Sequence, residues 1–255
     1  MTKQFEKLTD SNWVLISEYL NIKRKRKICL RSVLNAILYI TRAGCQWRNL
    51  PLEYPHWRAV NYYFEQWKKD GTFDNINMRL NQEDRKAEGR NASPSLLCID
   101  SQSVKLTPMI CEDRGIDGNK KVNGRKRQIL VDSGGRIWAA VVHAANINDG
   151  IGGLELLEYL PSISNRLEKI LTDSAYKGIF EEEVKNNNIK FEVSTKPETT
   201  KGFVPLKQRW VVERTFAWTN FFRRITKDYE YTILSSAAWL ILANITIMTQ
   251  RLLRF

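Results

Sequence analysis

Gln208-Arg-Trp-Val-Val-Glu-Arg-Thr-Phe-Ala-Trp-Thr-Asn-Phe-Phe-Arg-Arg-Ile-Thr-Lys-Asp-Tyr-Glu230 contains no Gly or Pro, and its apolar residues recur at steps of three and four. That spacing predicts a helix over 208–230. Glu213 lies inside it, with Val212 before it and Phe216 and Ala217 one turn on. A carboxylate on so apolar a face loses hydration unless a cation or a metal takes it up. Arg209, one turn earlier, is placed to act as an i,i+4 partner. Arg214, Arg223, Arg224 and Lys227 alternate with Trp210, Trp218 and Phe222, a mixture that suits a polyanion with flat bases. An amphipathic core helix with a solvated basic edge fits the same residues. The choice depends on whether other acids meet Glu213.

Upstream, the pattern is that of an α/β sheet. Leu96-Leu-Cys-Ile-Asp100 is a short apolar run ending in an acid, as in a buried strand. Residues 127–132 and 137–143 flank Ser133-Gly-Gly135, a hairpin signal. A helix is predicted over 150–160, a strand over 169–173, a helix over 180–186 and a strand over 190–194. A polar loop then leads into the Glu213 helix, and residues 235–255 form a last amphipathic helix. The order β-β-β-α-β-α-β-α implies a mixed sheet with helices on its faces.

Asp100 and Asp173 each end an apolar strand, where side chains of such sheets emerge into a shared crevice. If the first and fourth strands are neighbours, the two acids meet, and Glu213 completes the set from the helix packed alongside. Three carboxylates brought together repel one another unless a divalent metal neutralises them. Mg²⁺ takes hard oxygen ligands, and two such ions about 3.5–4 Å apart can drive phosphoryl transfer. Each acid alone reads equally as a strand-end or turn residue. Asp113 and Asp117 are rival ligands, set in a Gly-punctuated loop expected to lie away from the sheet.

The first 81 residues read as a helical unit. Thr9-Asp10-Ser11 offers N-caps before an apolar segment over 13–20. Lys23-Arg-Lys-Arg-Lys27 follows, then a helical stripe over 30–42 closed by Gly44. A turn runs to Pro51, and a third helix covers 57–69 before Gly71. Short helices, tight connections and basic residues suit a helix-turn-helix-like DNA-binding domain, with Lys23, Arg24, Lys25, Arg26 and Lys27 on phosphates. Residues 82–95 are polar and broken by Gly and Pro, and are expected to link this domain (1–81) to a catalytic domain (96–255). Lys120-Lys-Val-Asn-Gly-Arg-Lys-Arg127 is dense in cations, so Lys120, Lys121, Arg125, Lys126 and Arg127 are expected to grip phosphates.

The 255 residues carry a formal charge of +12 and a pI near 9.6, which favours an anionic partner. Cys29, Cys45, Cys98 and Cys111 are widely spaced, and His56 and His143 are the only histidines. Neither a disulfide framework nor a zinc site is suggested; reduced cytosolic thiols are expected. Met-Thr-Lys-Gln-Phe-Glu-Lys has no apolar h-region, and the apolar stretch over 237–248 is short of the roughly 20 residues that span a bilayer. A soluble cytoplasmic protein with no membrane partner is expected.

The chain resembles the bacterial DDE transposases of the insertion sequence five family, and the resemblance covers nearly all of it. The N-terminal unit carries it in Leu8-Thr-Asp-Ser-Asn-Trp13, Val33-Leu-Asn-Ala-Ile-Leu-Tyr39, Gly44-Cys-Gln-Trp-Arg-Asn-Leu-Pro51 and Tyr62-Tyr-Phe-Glu-Gln-Trp67. The rest carries it in Ile99-Asp-Ser-Gln-Ser-Val-Lys105, Gly124-Arg-Lys-Arg-Gln-Ile-Leu-Val-Asp132, Leu171-Thr-Asp-Ser-Ala-Tyr-Lys-Gly178 and Arg209-Trp-Val-Val-Glu-Arg-Thr-Phe-Ala-Trp218.

The resemblance implies an RNase H-like catalytic fold with Asp100, Asp173 and Glu213 as catalytic, metal-holding residues. It also implies Mg²⁺ or Mn²⁺, two ions per site, and no nucleotide cofactor. Arg209 matches the Arg of the related Tyr-Arg-Glu-Lys signature. Leu206 stands in the Tyr place and Asn220 in the Lys place, with Arg223, Arg224 or Lys227 as candidate substitutes. Asn148-Asp149 resembles the segment before the middle helix, where Asp149 is expected to be the N-cap. Lys177, Arg209, Arg214, Arg223, Arg224 and Lys227 join the expected DNA contacts.

The implied function is binding of an element's terminal inverted repeats, metal-dependent cleavage and strand transfer. A homodimer on double-stranded DNA is expected, because both ends must reach one target. A plain metal nuclease and a non-cleaving DNA-binding protein are the rivals. Strand-transfer products separate the first from a transposase, and metal-dependent cleavage separates the second.

Overall fold

The structure, a computed structural model, describes residues 5–22, 25–194 and 210–254. Helix α1 (Asp10–Ser17) is capped by Thr9, whose hydroxyl accepts from the Asn12 N–H at 3.3 Å. Helix α2 (Leu30–Ala43) buries Leu30, Val33, Leu34, Ile37, Leu38 and Ile40 along one stripe. Each such side chain contributes about 1.5–3 kcal/mol relative to exposure. A 3₁₀ turn, Trp47–Asn49, leads to α3 (Trp57–Lys69), and Asp70-Gly71 joins that to α4 (Thr72–Ala87).

The sheet holds β1 (Leu96–Lys105), β2 (Gly115–Ile116), β3 (Asn123–Asp132), β4 (Ile137–Ala144), β5 (Lys169–Thr172) and β6 (Lys190–Val193). Its path is β2-β3-β1-β5-β6, with β4 also on β3. The pairs β1–β3 and β3–β4 are antiparallel, whereas β1–β5 and β5–β6 are parallel. Between β4 and β5 lie α5 (Asp149–Leu157) and α6 (Leu160–Ile163); α7 (Ile179–Asn186) precedes β6. Then come α8 (Trp210–Thr219) and α9 (Ile233–Arg251). The expected β-β-β-α-β-α-β-α order is present, with a two-residue β2 and a one-turn α6 added.

Side chains alternate across a sheet, so each face builds its own core. One core joins Cys98, Ile129, Val142 and Leu171 to Val212 and Phe216 of α8, to α9, and to α2, α3 and α4. The other joins Leu97, Ile99, Leu130 and Ile170 to Leu156 of α5 and to Phe180 and Val184 of α7. Helices α1 to α4 therefore share a continuous core with the sheet.

Three expectations change here. The stretch 82–95 is helical as far as Ala87, with Asp84 and Arg85 buried, so the first six residues of the expected linker continue a packed helix and the rest is turns and irregular chain. Helix α4 was not expected; it follows α3 across a short Gly turn and lies against α9 and β4. The helix expected over 208–230 ends at Thr219. A turn then returns the chain through a 3₁₀ segment, Arg223–Ile225, to a bridge between Asp228 and Leu106. Residues 195–209, which include the expected polar loop, lie outside the described residues.

Helix α9 also revises an expectation: its 19 residues are long and apolar enough to cross a membrane by length and composition alone, yet 78% of the apolar window is buried inside the fold. It is the central helix of the first core.

Gly44 ties the N-terminal helices to this return turn. It closes α2 at φ 70°, and a Cβ there would stand 2.8 Å from Arg223 Cβ. Gly71 has a similar φ of 75°, but nothing lies within 4 Å of its notional Cβ. Gly44→Ala is expected to cost about 1–3 kcal/mol, and Gly71→Ala less. Thermal melts of the two variants isolate the contact from the strain; equal melting temperatures would show that the approach to Arg223 contributes nothing.

Candidate active site

Strands β1 and β5 run parallel with Cys98 opposite Leu171. Two residues on, Asp100 and Asp173 come level at the point where β5 ends. Alternation puts Asp100 on the face of Cys98, and Asp173, whose backbone is still extended, on the face of Leu171. Both faces belong to the α8 side of the sheet. Helix α8 packs on β1 and β3, and Glu213 is an exposed residue of its first turn. Its stripe continues through Ala217 to Asn220, opposite the buried stripe of Val212, Phe216 and Thr219.

Asp100 Oδ1 accepts from the Ser101 N–H at 2.7 Å, and Asp173 Oδ1 accepts from the Ala175 N–H at 2.9 Å. Both carboxylates are half-buried. Strand ends of this kind present oxygen donors to solvent, and their chemistry fits a hard divalent cation. Among the described residues, no group of three or more His, Cys, Asp or Glu side chains is gathered closely enough to hold a metal. The two aspartates are thus brought level by the sheet, while Glu213 shares their side without being drawn into a closed set.

Behind the acids lies a polar layer that sequence reading missed. The Ser101 hydroxyl donates to Asp149 Oδ1 at 2.8 Å, and Lys126 Nζ bonds the same oxygen at 2.9 Å and Ile147 O at 2.8 Å. Gln128 Nε2 lies 2.9 Å from His143 Nε2 and donates to Asp149 O at 3.0 Å. The buried Tyr176 hydroxyl donates to Gln128 Oε1 at 3.1 Å. Burial first, then the charges of Asp100, Asp149 and Asp173, raise the Tyr176 hydroxyl well above its ordinary value, so it stays neutral. Burial, reinforced by Lys126, likewise lowers His143 and outweighs its bond with Ala144 O and the pull of Asp149. Tyr176 lies inside the motif Leu171-Thr-Asp-Ser-Ala-Tyr-Lys-Gly178, so it was within reach of the sequence. Gln128 likewise lies inside the motif Gly124-Arg-Lys-Arg-Gln-Ile-Leu-Val-Asp132.

Asp149 is not the cap of α5. Asn148 is, its side chain accepting from the Gly150 N–H at 2.9 Å, because Asp149 is occupied by Lys126 and Ser101. Asp117 is also bound internally. Its Oδ1 accepts from the Asn119 and Lys120 N–H groups at 2.9 Å, and its Oδ2 from the Ser103 hydroxyl. Burial raises its carboxyl, but these bonds and Lys126 outweigh that and lower it to about 2. Asp113 sits exposed in the same loop at φ 50°.

The expected cation contacts divide by burial. Arg125, Lys126 and Arg127 are 0%, 6% and 2% exposed, which corrects their expected grip on phosphates. Arg125 donates to Glu230 O at 2.7 Å, Glu112 O at 2.8 Å and Tyr231 O at 2.9 Å, and pairs with Asp228 at 3.5 Å. Arg127 donates to Ile225 O. Burial lowers its guanidinium to about 10 against the opposing pull of Asp228 and Glu230, so it stays cationic. These arginines anchor the return turn instead.

Arg224 is similarly engaged, with Glu230 at 2.6 Å and Cys45 O at 3.3 Å. Arg214 is clasped between Trp210 and Trp218, 4.8 and 4.5 Å from the ring centres. Lys120, Lys121, Lys177 and Arg223 are exposed, and Lys227 is half-exposed. Lys25, Arg26 and Lys27 line a cavity of about 490 Å³ with Tyr19, Tyr62 and Trp67. Lys23, Arg24, Leu206 and Arg209 lie outside the described residues.

An antiparallel three-stranded meander extended by two parallel strands, with helices on both faces, is the RNase H-like class of α/β fold. Residues 91–248, well over half of the chain, match the family described as "Transposase DDE domain", and the chain belongs to that family. Residues 8–77 match the family described as "Putative transposase of IS4/5 family".

Among curated proteins, the "Putative transposase for insertion sequence element IS402" of Burkholderia cepacia is 32% identical over 114 residues. That match covers 42% of this chain and 54% of the relative, so the chain spans about half the length of the curated relative it matches. A solved piggyBac transposase synaptic complex with hairpin DNA superposes over 95% of this chain and 71% of its own, at TM-score 0.47 and 10% identity.

Proposed function

We propose that the chain is the transposase of an insertion sequence: it binds the element's terminal inverted repeats, cuts a phosphodiester at each end and joins the freed 3′-hydroxyl to target DNA. The observation that carries this reading is the register of β1 and β5, which brings Asp100 and Asp173 level on the side of the sheet that bears Glu213. Membership of the DDE family and the charge of +12 support it.

Asp100, Asp173 and Glu213 would hold Mg²⁺ or Mn²⁺, two ions being the number suited to in-line displacement; bound there, the metal supplies Lewis acidity and an activated water. Asp100 and Asp173 are the preformed part of the site, since the sheet fixes them. Glu213 stands in the first turn of α8, on the same side of the sheet. Ser101, Asp149 and Lys126 hold the strand behind Asp100 in place. Exposed Lys25, Lys27, Lys120, Lys121, Lys177 and Arg223 attract phosphates. Residues 1–81 take part in holding the repeats, with helices α1 to α4 packed against the sheet and α9. The enzyme works in the cytoplasm as a dimer on DNA, without a nucleotide cofactor.

The test is a plasmid carrying the native element ends, incubated with protein and Mg²⁺ beside a Glu213→Gln control. End-specific cuts and joined products from the wild type alone are the expected result. Cuts without joining would indicate a plain nuclease, and equal binding by both proteins with no cutting a non-cleaving DNA-binding protein.

A further inference from the structure

Strands β1 and β5 bring Asp100 and Asp173 level, but their pairing stops at Cys98 and Leu171, two residues short of both acids. Asp100 stays inside β1, laddered to Ile129 of β3. Asp173 lies past the end of β5 and caps a 3₁₀ turn, Ser174–Tyr176. Its place across from Asp100 therefore depends on that turn. Ser174, Ala175, Lys177, Gly178 and Ile179 are all exposed, whereas Tyr176 between them is 1% exposed. Tyr176 is the anchor by which the loop carrying Asp173 enters the fold.

The anchor reaches the strand that carries Asp100. The Tyr176 ring packs edge-on against Phe180, with centroids 5.3 Å apart, and its hydroxyl donates to Gln128 Oε1 at 3.1 Å. Gln128 is the register partner of Ser101, the residue after Asp100. Both N–H groups of the Gln128 amide are committed. His143 Nδ1 lies 2.9 Å from Ala144 O and so carries the ring proton, which leaves His143 Nε2 to accept from Gln128 Nε2 at 2.9 Å. The other Gln128 N–H goes to Asp149 O at 3.0 Å, and Asp149 Oδ1 takes the Ser101 hydroxyl at 2.8 Å. A run of hydrogen bonds thus passes from the loop of Asp173 to the strand of Asp100, along the sheet face opposite the one that bears the acids.

Helix α5 is shaped to this run. A Cβ on Gly152 would overlap His143 Nε2, and one on Gly153 would stand 3.0 Å from Gln128 Oε1 and from the Tyr176 ring. Glycine is among the poorest helix formers, so both positions put close approach to these side chains ahead of helix stability.

We infer that Tyr176 is a positioning residue: through Gln128 it sets the gap between Asp100 and Asp173, and with it the fit of a divalent cation between the two carboxylates. The inference rests on the assignment of those acids as metal ligands in the transposase reading. Groups that orient metal ligands from behind are worth about 10–100-fold in metal affinity.

The test is Mn²⁺ binding by the full chain without DNA, followed by the paramagnetic resonance of free Mn²⁺, with Asp100→Asn marking the site. Tyr176→Phe keeps the ring in its core and removes the hydroxyl. It is expected to weaken the Asp100-dependent Mn²⁺ site by about 10-fold or more. Ser101→Ala, which cuts the same run at its other end, should weaken it as much, and the double variant no more than either alone. Val184→Ala removes packing from the same core without touching the run, and should lower the melting temperature with Mn²⁺ affinity unchanged. In end cleavage, Tyr176→Phe should need about 10-fold more Mg²⁺ yet approach the wild-type rate once Mg²⁺ saturates. A wild type without an Asp100-dependent site, or a Tyr176→Phe variant with unchanged Mn²⁺ affinity, overturns the inference. So does a loss in Val184→Ala as large as that in Tyr176→Phe, since core stability alone would then account for it. Mn²⁺ affinity lost in Tyr176→Phe, in a protein whose wild type never cuts element ends, keeps the positioning role and removes the transposase reading instead.

Discussion

Asp100→Asn is expected to lower end cleavage by about 10³-fold or more while DNA binding and folding survive. The side chain is half-buried at a strand position fixed by nine register pairs between β1 and β3. Asn is of the same size, and its amide oxygen can still accept from the Ser101 N–H as Asp100 Oδ1 does at 2.7 Å. What the change removes is the negative charge that a divalent cation requires. Asp173→Asn should lose as much, since Asp173 sits level with Asp100 across the parallel pair. The double variant should be hardly worse than either single one, because residues that act as a unit do not add. The measurement is single-turnover cleavage of an element-end duplex at saturating Mg²⁺, with affinity and melting temperature followed in parallel. Cleavage kept within 10-fold of wild type by either single variant would place the chemistry elsewhere on the protein.

The features that decided this site were local and therefore legible. Apolar runs that stop at an acid mark Asp100 and Asp173, and the hairpin at Ser133-Gly-Gly135 fixes the order of the strands around them. Helix α3 lies where the pattern predicts, since Gly71 and the apolar stripe define both its end and its face. The misreadings share one cause, polar or apolar residues whose partners are distant in sequence. Apolar spacing continues past Thr219 through Phe222 and Ile225, so a helix was expected. Both residues are buried instead by a turn that reaches back to Leu106. Arg125 and Arg127 look like a phosphate clamp in sequence because the groups that engage them, Asp228 and the carbonyls of 225, 230 and 231, are about a hundred residues away. Polar composition at 82–95 resembles a linker for the same reason.

That stretch sets up the largest expected effect on stability: Arg136→Ala should cost about 3–5 kcal/mol, a fall of roughly 6–20 °C in melting temperature. Arg136 is fully buried, with its guanidinium 2.7 Å from Asp84, 2.7 Å from Glu88 and 3.3 Å from Asp132. Arg85 reaches Asp132 at 2.5 Å, and Arg251 reaches Asp84 at 3.3 Å. The set joins α4, the β3–β4 turn and the end of α9, which is the joint between the N-terminal helices and the catalytic sheet. Burial alone would lower the Arg136 guanidinium, but Asp132, Glu88 and Asp84 outweigh that and raise it. Arg90 also reaches Glu88, at 3.3 Å on the more exposed edge, and Arg136 is the guanidinium that touches all three carboxylates.

Taking out Arg136 leaves the buried Asp84 to Arg251 at 3.3 Å and the buried Asp132 to Arg85 at 2.5 Å, and Asp84 Oδ1 already has no hydrogen-bond partner among the described residues. The cost then comes from stranded charge more than from the lost contacts themselves. Adding Asp84→Asn to Arg136→Ala should therefore recover part of the loss, although each change alone destabilises. Two-state chemical denaturation of the four proteins in this cycle measures the coupling. If the double variant were as unstable as the sum of the singles, with no recovery, the cluster would be held by packing and not by its balance of charge.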